Sequence, residues 1–289
     1  MITSLDCIPC FVRQTLDAAR LITDDPAIHE RLLRSVLADV SSMDLNISPP
    51  QMGQHIHRLI RQYTGDADPY KKIKDRFNRF ALDLMPEMEM CVSKADDPFE
   101  AAMRLAIAGN IIDFGVKSTL DDAEVSTSIR DALTVPLVGD VDELRAAVDG
   151  ARNILYIADN AGEIVFDKLL LARLPLDRVV LGVRGNPVIN DATLEDAESV
   201  GITDMVRVIS SGSDVPGTVY AECSEEFRVV YDQADVIIAK GQGNYETLSQ
   251  ARENIFFLLK AKCPVIADDI GCEVGRLVVA RPVIRKDKP

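Results

Sequence analysis

Residues 152–183, RNILYIADNAGEIVFDKLLLARLPLDRVVLGV, decide the fold of this chain. Two apolar runs rich in β-branched residues, at 152–158 and 178–183, flank EIVFDKLLLARL, which is apolar at helical spacing. Continuous apolar runs are typical of strands buried on both faces, and a helix is the usual crossover between parallel strands. The stretch therefore predicts one β–α–β unit of a parallel sheet.

The same alternation continues towards the C-terminus. MVRVIS (205–210), DVIIAK (235–240) and CPVIAD (263–268) are predicted as further strands, and the final LVVARPVI as an edge strand. NDATLEDAESVG and YETLSQARENIFFLLKA are predicted as helices between them. The N-terminal third instead shows successive amphipathic helical stretches. We predict a helical bundle over residues 1–92 and a three-layer, Rossmann-like α/β/α domain with a mostly parallel sheet over 93–289.

The composition restricts the classes of partner. The chain has 289 residues, is 47% hydrophobic and carries a formal net charge of −14. Binding to a nucleic-acid backbone needs basic surface, so nucleic acid is not an expected partner. No apolar run is long enough for a membrane helix, and the N-terminus lacks the pattern of a signal peptide. We expect a cytoplasmic protein that acts on a small molecule, with no membrane partner.

Polar side chains follow most of the predicted strands, at the edge where open parallel sheets bind ligands. Asp159 and Asn160 follow the first strand, and Asp191 lies in the loop after the second. Any one of these acids is more often a helix N-cap than a ligand, but several share this edge. Oxygen donors without histidine suit Mg²⁺ or Mn²⁺ better than a catalytic zinc. The pattern predicts a divalent-cation site.

The glycine-rich loop KGQGNYE, at 240–246, follows a predicted strand and opens a helix. Glu246 stands where a dinucleotide fingerprint has its third glycine, and its carboxylate would repel a pyrophosphate. The sequence also lacks Gly-x-x-x-x-Gly-Lys-Ser/Thr, the phosphate-binding loop of nucleotide hydrolases. A lysine and close backbone approach remain, which suit a single phosphate beside a metal.

Six motifs in this order resemble those of the metal-dependent damage-control phosphatases, formerly known as domain of unknown function 89. The similarity extends over nearly the whole chain. The fold of that family, a small helical bundle joined to an α/β/α domain with a mixed sheet, agrees with the pattern above. The motifs are CIPC (7–10), AGNIIDFG (108–115), ADNAGEIVFD (158–167), RGNPVINDAT (184–193), SGSDVPGT (211–218) and KGQGNYETL (240–248).

The resemblance implies a catalytic divalent cation, either Mn²⁺, Co²⁺, Ni²⁺ or Mg²⁺. It implies that Asp159, Asn160 and Asp191 bind this cation, and that Asn110 and Asp113 approach the same cleft. The implied reaction is hydrolysis of small phosphorylated metabolites, such as sugar phosphates or nucleotides, by a metal-activated water. An aspartyl-phosphate intermediate stays open as a second route. Glu163, one helical turn after Asn160, is a weaker candidate for ordering the attacking water.

The resemblance also implies that Lys240 holds the substrate phosphate, where it would offset the charge on the phosphate oxygens. Further residues are expected to bind the substrate or to shape its loop. They are Gly241, Asn244, Glu246, Arg184 and Ser213.

Two other functions stay open. One is an S-adenosylmethionine-dependent carboxyl methyltransferase, because methyl transfer to carboxylates has been proposed for a member of the same family. The other is a protein that binds a phosphorylated metabolite without turning it over.

Cys7 and Cys10 form a C-x-x-C pair, which is half of a zinc site. The resemblance is to the prokaryotic branch of the family, and it adds a C-terminal cysteine that matches Cys272. Three such thiols could bind a metal, form a redox pair or only pack. Cys263 is expected to be an ordinary thiol.

Overall fold

The computed structural model of the chain describes residues 1–111, 127, 129–251 and 254–282. The helices are α1 Cys7–Ile22, α2 Pro26–Val40, α3 Pro49–Thr64, α4 Lys71–Lys94, α5 Pro98–Ala108, α6 Val141–Gly150, α7 Glu163–Leu171, α8 Leu194–Ser199, α9 Glu225–Gln233, α10 Gly241–Leu248 and α11 Pro264–Ile270. The strands are β1 Leu137–Val138, β2 Ile154–Ile157, β3 Val179–Val183, β4 Arg207–Ser210, β5 Val236–Lys240, β6 Ile255–Lys260 and β7 Leu277–Ala280.

The strands form one sheet in the order β1-β7-β6-β5-β2-β3-β4. β2 lies inside the sheet and pairs in parallel with β3 and with β5, in a register that sets Ile154 opposite Val179 and Val236. The β–α–β unit predicted from residues 152–183 is confirmed, with α7 as its crossover. The antiparallel pair β6–β7 makes the sheet mixed.

Helices cover both faces of the sheet because successive strand residues point to opposite sides. In β2, Ile154 and Tyr156 join a core shared with α4, α5 and α7. Leu155 and Ile157 join a second core shared with α9, α10 and α11. This confirms the three-layer arrangement, and it places the C-terminal ends of the parallel strands at one common edge.

Two C-terminal elements differ from the sequence prediction. Residues 255–260, IFFLLK, form β6 rather than the end of a helix, and they are almost entirely buried between two neighbouring strands. Residues 263–268, predicted as a strand, instead enter α11, with Pro264 at its first turn. An apolar run as short as 255–260 fits either a buried strand or a buried helix. Pairing with β5 and β7 stabilises it as a strand. β7 lies between β1 and β6, so it is not the edge strand.

The first three helices have a separate core. Phe11, Leu32 and Ile56 represent α1, α2 and α3 in it. α4 extends beyond this core, since Met85 and Met88 pack into the sheet core instead. The domain boundary at residue 92 stays a prediction. Among the described residues, no helix has both the length and the apolar character needed to cross a membrane.

Candidate active site

The backbone brings Asp159, Asn160 and Asp191 together at the ends of β2 and β3. Asn160 and Asp191 form an isolated antiparallel bridge. The Ala192 N–H donates to the Asp159 carbonyl oxygen at 2.8 Å. Nearby Ile189 has φ of 46°, a left-handed conformation that β-branched residues rarely adopt. Backbone strain of this kind concentrates at functional sites, where the surrounding structure enforces it.

Two asparagine side chains hold two of the carboxylates. The Asn160 Nδ2 donates to Asp159 Oδ2 at 2.7 Å and to Glu163 Oε2 at 2.9 Å. The Asn110 Nδ2 donates to the same two oxygens, at 2.9 and 2.6 Å. Asn110 therefore lies beside Asp159 and Glu163, in the cleft that the resemblance implied, whereas Asp113 lies outside the described residues.

Lys240 ends β5 with its ammonium group directed into the protein. Its Nζ donates to the Ala106 carbonyl oxygen at 2.8 Å, to Glu163 Oε1 at 2.9 Å and to Asp167 Oδ1. Burial disfavours its charge, but Asp167 and Glu163 outweigh burial and raise the pKa of Lys240. An ammonium has three donors, and all three are taken in a side chain that is 0% exposed. The predicted contact with a substrate phosphate would require Lys240 to leave one of these partners.

Asp167 belongs to the same network, and sequence reasoning missed it. Its Oδ1 accepts from the Tyr156 hydroxyl at 2.7 Å as well as from Lys240. Burial raises the pKa of Asp167 to about 6, although the Lys240 ammonium acts in the opposite direction. The available signal was its position four residues after Glu163, on the same face of α7.

Arg184 lies between two of the predicted cation ligands. Its Nε donates to Asp191 Oδ2 at 2.6 Å, and its Nη2 lies 3.8 Å from Asp159 Oδ1. The same Nη2 donates to Asn244 Oδ1 at 3.2 Å, and Asn244 Nδ2 donates to the Lys240 carbonyl oxygen at 2.7 Å. Arg184 and Asn244 were predicted to bind substrate; both are buried, and their hydrogen bonds connect the segments that follow β3 and β5.

Gly241 makes room for the carboxylate of Asp159. It has φ of +80°, and a Cβ placed there would lie 1.9 Å from Asp159 Oδ2. Only glycine permits both this backbone conformation and this approach. Gly241 was predicted to shape the loop. Its lack of a side chain lets the Asp159 carboxylate lie directly against the backbone of this loop.

Glu246 lies near the N-terminal cysteines. Its Oε1 accepts from Gln242 Nε2 at 2.8 Å, and burial raises its pKa to about 7. Burial raises the pKa of the Cys7 thiol, and Glu246 and Cys263 raise it further. The pKa of the Cys10 thiol is raised by burial, then by Cys263 and then by Glu246. Glu246 was predicted to shape the substrate loop, and its carboxylate is among the charges that raise the pKa of Cys7 and of Cys10.

The third cysteine near the pair is Cys263, not Cys272. Cys263 caps the start of α11, and Cys272 follows the other end of that helix. The charges that act on Cys272 are those of Arg276 and Glu273. All six cysteines are described and none forms a disulfide. Cys272, which the family resemblance implied as the third thiol, is separated from Cys263 by the length of α11.

Ser213 lies in the lining of a cavity of about 940 Å³ between α3 and the loops after β3 and β4. The lining mixes both signs of charge, and none of the lining residues is one of the buried acids described above. The loop that contains Asp191 nevertheless contributes to it. The main lining residues are Arg58, Arg61, Gln62, Asn186, Pro187, Ser213, Asp214 and Glu222.

Asp214 is held by three side chains of α3, a cluster that we call the Asp214 clamp. Arg58 donates to both of its oxygens at 3.0 and 2.6 Å, Arg61 donates at 2.6 Å and Gln54 at 2.7 Å. Burial alone would raise the pKa of Asp214, but these hydrogen bonds outweigh it and lower the pKa to about 2. Gln54, Arg58 and Arg61 are spaced four and three residues apart and share one helix face. The local sequence nevertheless gave no sign that Asp214 is their common partner.

The buried charges at the ends of β2, β3 and β5 do not balance. Four carboxylates face two cationic side chains, which leaves a formal charge of −2. We call this group the acid cluster. Burial, then Glu163 and Asp191, raise the pKa of Asp159 well above its ordinary value, although the charges of Arg184 and Lys262 act in the opposite direction. The acid cluster consists of Asp159, Glu163, Asp167 and Asp191 with Lys240 and Arg184.

The donors present fit a hard divalent cation. Asp159, Asn160 and Asp191 offer carboxylate and amide oxygens, the ligands that Mg²⁺ and Mn²⁺ prefer. The buried Asn110 Oδ1 and both polar atoms of the Asn190 side chain have no hydrogen-bond partner among the described residues. In the same part of the chain, no three His, Cys, Asp or Glu side chains form a metal site by themselves, so amide ligation would be required.

Comparisons with known proteins identify a family and similar structures. The sequence profile of the damage-control phosphatase ARMT1-like domain matches residues 3–278. An uncharacterised protein of Methanocaldococcus jannaschii is 38% identical, covering 96% of this chain and 94% of that protein. A damage-control phosphatase of Pyrococcus horikoshii is 36% identical, with 96% of each chain covered. The crystal structure of a DUF89 family protein from P. horikoshii matches with a TM-score of 0.87 at 33% identity, over 98% of this chain and 100% of that one.

Proposed function

The chain belongs to the damage-control phosphatase ARMT1-like family, and we propose that it is a metal-dependent phosphatase of small phosphorylated metabolites. Relatives that are named damage-control phosphatases support the phosphatase activity. The observation that carries the metal dependence is the acid cluster, which has four buried acidic side chains and only two buried basic ones. A divalent cation would neutralise that excess.

Asp159, Asn160 and Asp191 are the residues that would hold the cation. When bound, a divalent cation supplies charge neutralisation for the phosphate oxygens and activation of a water nucleophile. Arg184 fixes the Asp191 carboxylate through its 2.6 Å hydrogen bond, so that ligand is oriented in advance. Orientation by such surrounding hydrogen bonds typically has a large effect on metal affinity.

Lys240 acts inside the cluster rather than at its surface. Its single positive charge lies between Glu163 and Asp167, which are both 0% exposed, and it reduces their repulsion of each other and of Asp159. Asn110 and Asn160 hold the remaining oxygen of Glu163 next to Asp159. These contacts keep Glu163 beside the candidate cation ligands, where it is placed to orient a water.

The cavity of about 940 Å³ has the size of a small-molecule site. It shares the loop of residues 184–193 with the acid cluster, and its lining contains arginine, amide and hydroxyl groups. Such a lining suits the polar body of a sugar phosphate or a nucleotide. We infer that the non-reacting part of the substrate binds there.

The test is phosphate release from an aryl phosphate after complete chelation, followed by return of Mg²⁺, Mn²⁺, Co²⁺ or Ni²⁺ one at a time. Asp159→Ala should abolish the turnover that the metal restores. Asp235→Asn is the matched control, because Asp235 accepts from the N–H groups of Arg152 and Asn153 at the opposite edge of the sheet. It should keep full metal-dependent turnover.

Three outcomes would count against the proposal. Turnover that survives chelation would overturn metal dependence. Folded wild-type protein that releases no phosphate with any of these metals would favour a protein that only binds phosphorylated metabolites. Carboxyl methylation that depends on S-adenosylmethionine and not on metal would favour the methyltransferase.

A further inference from the structure

Asn78 of α4 reaches from the helical segment into the loop between β2 and α7. It is 3% exposed and lies outside every motif singled out in the sequence. Its Oδ1 accepts from the Gly162 N–H at 2.7 Å. Gly162 stands between Asn160 and Glu163, so this hydrogen bond holds the middle of the segment that carries two carboxylates of the acid cluster.

The other end of the same amide holds the second loop. Asn78 Nδ2 donates to Asp196 Oδ1 at 3.0 Å. The other Asp196 oxygen accepts from the Thr193 N–H at 2.9 Å and from the Thr193 hydroxyl at 2.8 Å. Thr193 follows Asp191 by two residues and pairs with Arg184. A single side chain thus connects both loops that carry the candidate cation ligands.

Lys74, one helical turn before Asn78, completes the connection. Its Nζ lies 3.1 Å from Asp196 Oδ2 and 3.0 Å from Asp68 Oδ2, and the side chain is 1% exposed. Lys74 therefore supplies the positive charge that lets the Asp196 carboxylate stay buried between α4 and α8.

The amide chemistry at Asn78 is specific. A backbone N–H lies on one side and a carboxylate on the other, so the position needs one acceptor and one donor in the same side chain. Aspartate would keep the acceptor but lose the donor, and leucine would lose both. Docking of α4 does not depend on this amide, because Ala81, Met85 and Met88 pack the same helix against the sheet core.

We propose that Asn78 is a positioning residue that sets the spacing of the two ligand-bearing loops, and thereby the metal affinity of the acid cluster. The proposal rests on the metal site of the proposed function. It gives the helical segment a direct part in the site, with Lys74 and Asp196 as the supports of Asn78.

The test compares Asn78→Leu with Met88→Ala in the full chain. Met88 is a matched control because it is fully buried in the same helix and belongs to the sheet core, with no side-chain hydrogen bond to either loop among those of the described residues. Mn²⁺ dissociation constants come from calorimetry, and backbone hydrogen exchange is followed in peptides that cover 158–167 and 190–197. We expect Asn78→Leu to weaken Mn²⁺ binding by about 10–100-fold and both peptides to lose protection. Met88→Ala should lower stability and leave both readouts near wild type.

Equal Mn²⁺ affinity and equal protection in the two variants would overturn the proposal. If wild-type protein binds no Mn²⁺, the metal site of the proposed function fails, and unchanged exchange in Asn78→Leu would overturn the positioning role as well. Should Asn78→Leu not fold, Asn78→Ala removes the same hydrogen bonds with a smaller volume change and is held to the same outcomes.

Discussion

The acid cluster and the Asp214 clamp are built from similar side chains but differ in charge balance. In the acid cluster, four buried carboxylates share two cationic groups, and the pKa of Asp159 is raised by burial and by its acidic neighbours. In the clamp, one carboxylate receives two arginines and an amide, and its pKa falls to about 2. The clamp therefore has one more cationic than acidic group, whereas the acid cluster has two more acidic than cationic groups, and only the acid cluster has an excess that a cation would offset.

The largest effect should come from removing a cationic side chain from the acid cluster, which already has fewer cationic groups than carboxylates. Lys240→Met leaves Glu163 and Asp167 buried without a counter-charge, and we expect a loss of about 3–5 kcal/mol in the free energy of unfolding. Urea denaturation of chelated protein measures it. Lys168→Met is the control, since Lys168 donates to a backbone carbonyl rather than to an acid. A Lys240→Met loss no larger than the control would refute the charge imbalance.

Gly241→Ala should be next in effect. Both Gly241 and Gly271 have positive φ, so alanine at either costs about 1 kcal/mol in backbone conformation. At Gly241 the new Cβ would also collide with Asp159, whereas at Gly271 nothing lies within 4 Å. We expect Gly241→Ala to lose metal-dependent phosphate release and Gly271→Ala to keep it. Equal metal-dependent phosphate release by the two variants would show that the close approach of the Asp159 carboxylate to residue 241 is not needed for activity.

Asp214→Asn tests the clamp, where one carboxylate has two cationic partners. Loss of its charged hydrogen bonds should lower the free energy of unfolding by about 2 kcal/mol at neutral pH. Because the folded pKa is depressed to about 2, this stabilisation is complete above the ordinary value near 3.8 and disappears as the pH falls towards 2. The free energy of unfolding can be measured with denaturant between about pH 5 and about pH 2.5. The difference in this free energy between Asp214→Asn and wild type should shrink as the pH falls. A constant difference would contradict the role assigned to ionised Asp214.

The smallest effect is expected at Arg58, whose side chain is 54% exposed. Arg58→Ala should cost under about 1 kcal/mol, because Arg61 and Gln54 still hold Asp214. Its lining of the cavity should matter more, so KM for a nucleotide substrate should rise while kcat for a small aryl phosphate stays unchanged. If KM values for both substrates are unaffected, the cavity does not bind the body of the substrate.

Local pattern was sufficient for much of the fold and for the core of the site. The β–α–β unit and the strand-end residues Asp159, Asn160 and Asp191 followed from apolar periodicity and from the rule that parallel strands end at one edge. The six motifs predicted the family, and the comparisons confirm it. Periodicity failed at IFFLLK (255–260), where only pairing with neighbouring strands distinguishes a buried strand from a buried helix.

By itself, the sequence determined the layer class, the edge where ligand binding is predicted and the kinds of donor present there, because each depends on neighbours along the chain. Only the tertiary structure determined which charged and polar side chains become partners. Lys240 meets Glu163 and Asp167 from 77 and 73 residues away, and Gln54 meets Asp214 from 160. It likewise set Cys263 beside Cys7 and set Asn78 against Gly162. A buried charge takes whichever counter-charge the packing brings within hydrogen-bond distance, and that distance is a property of the folded chain.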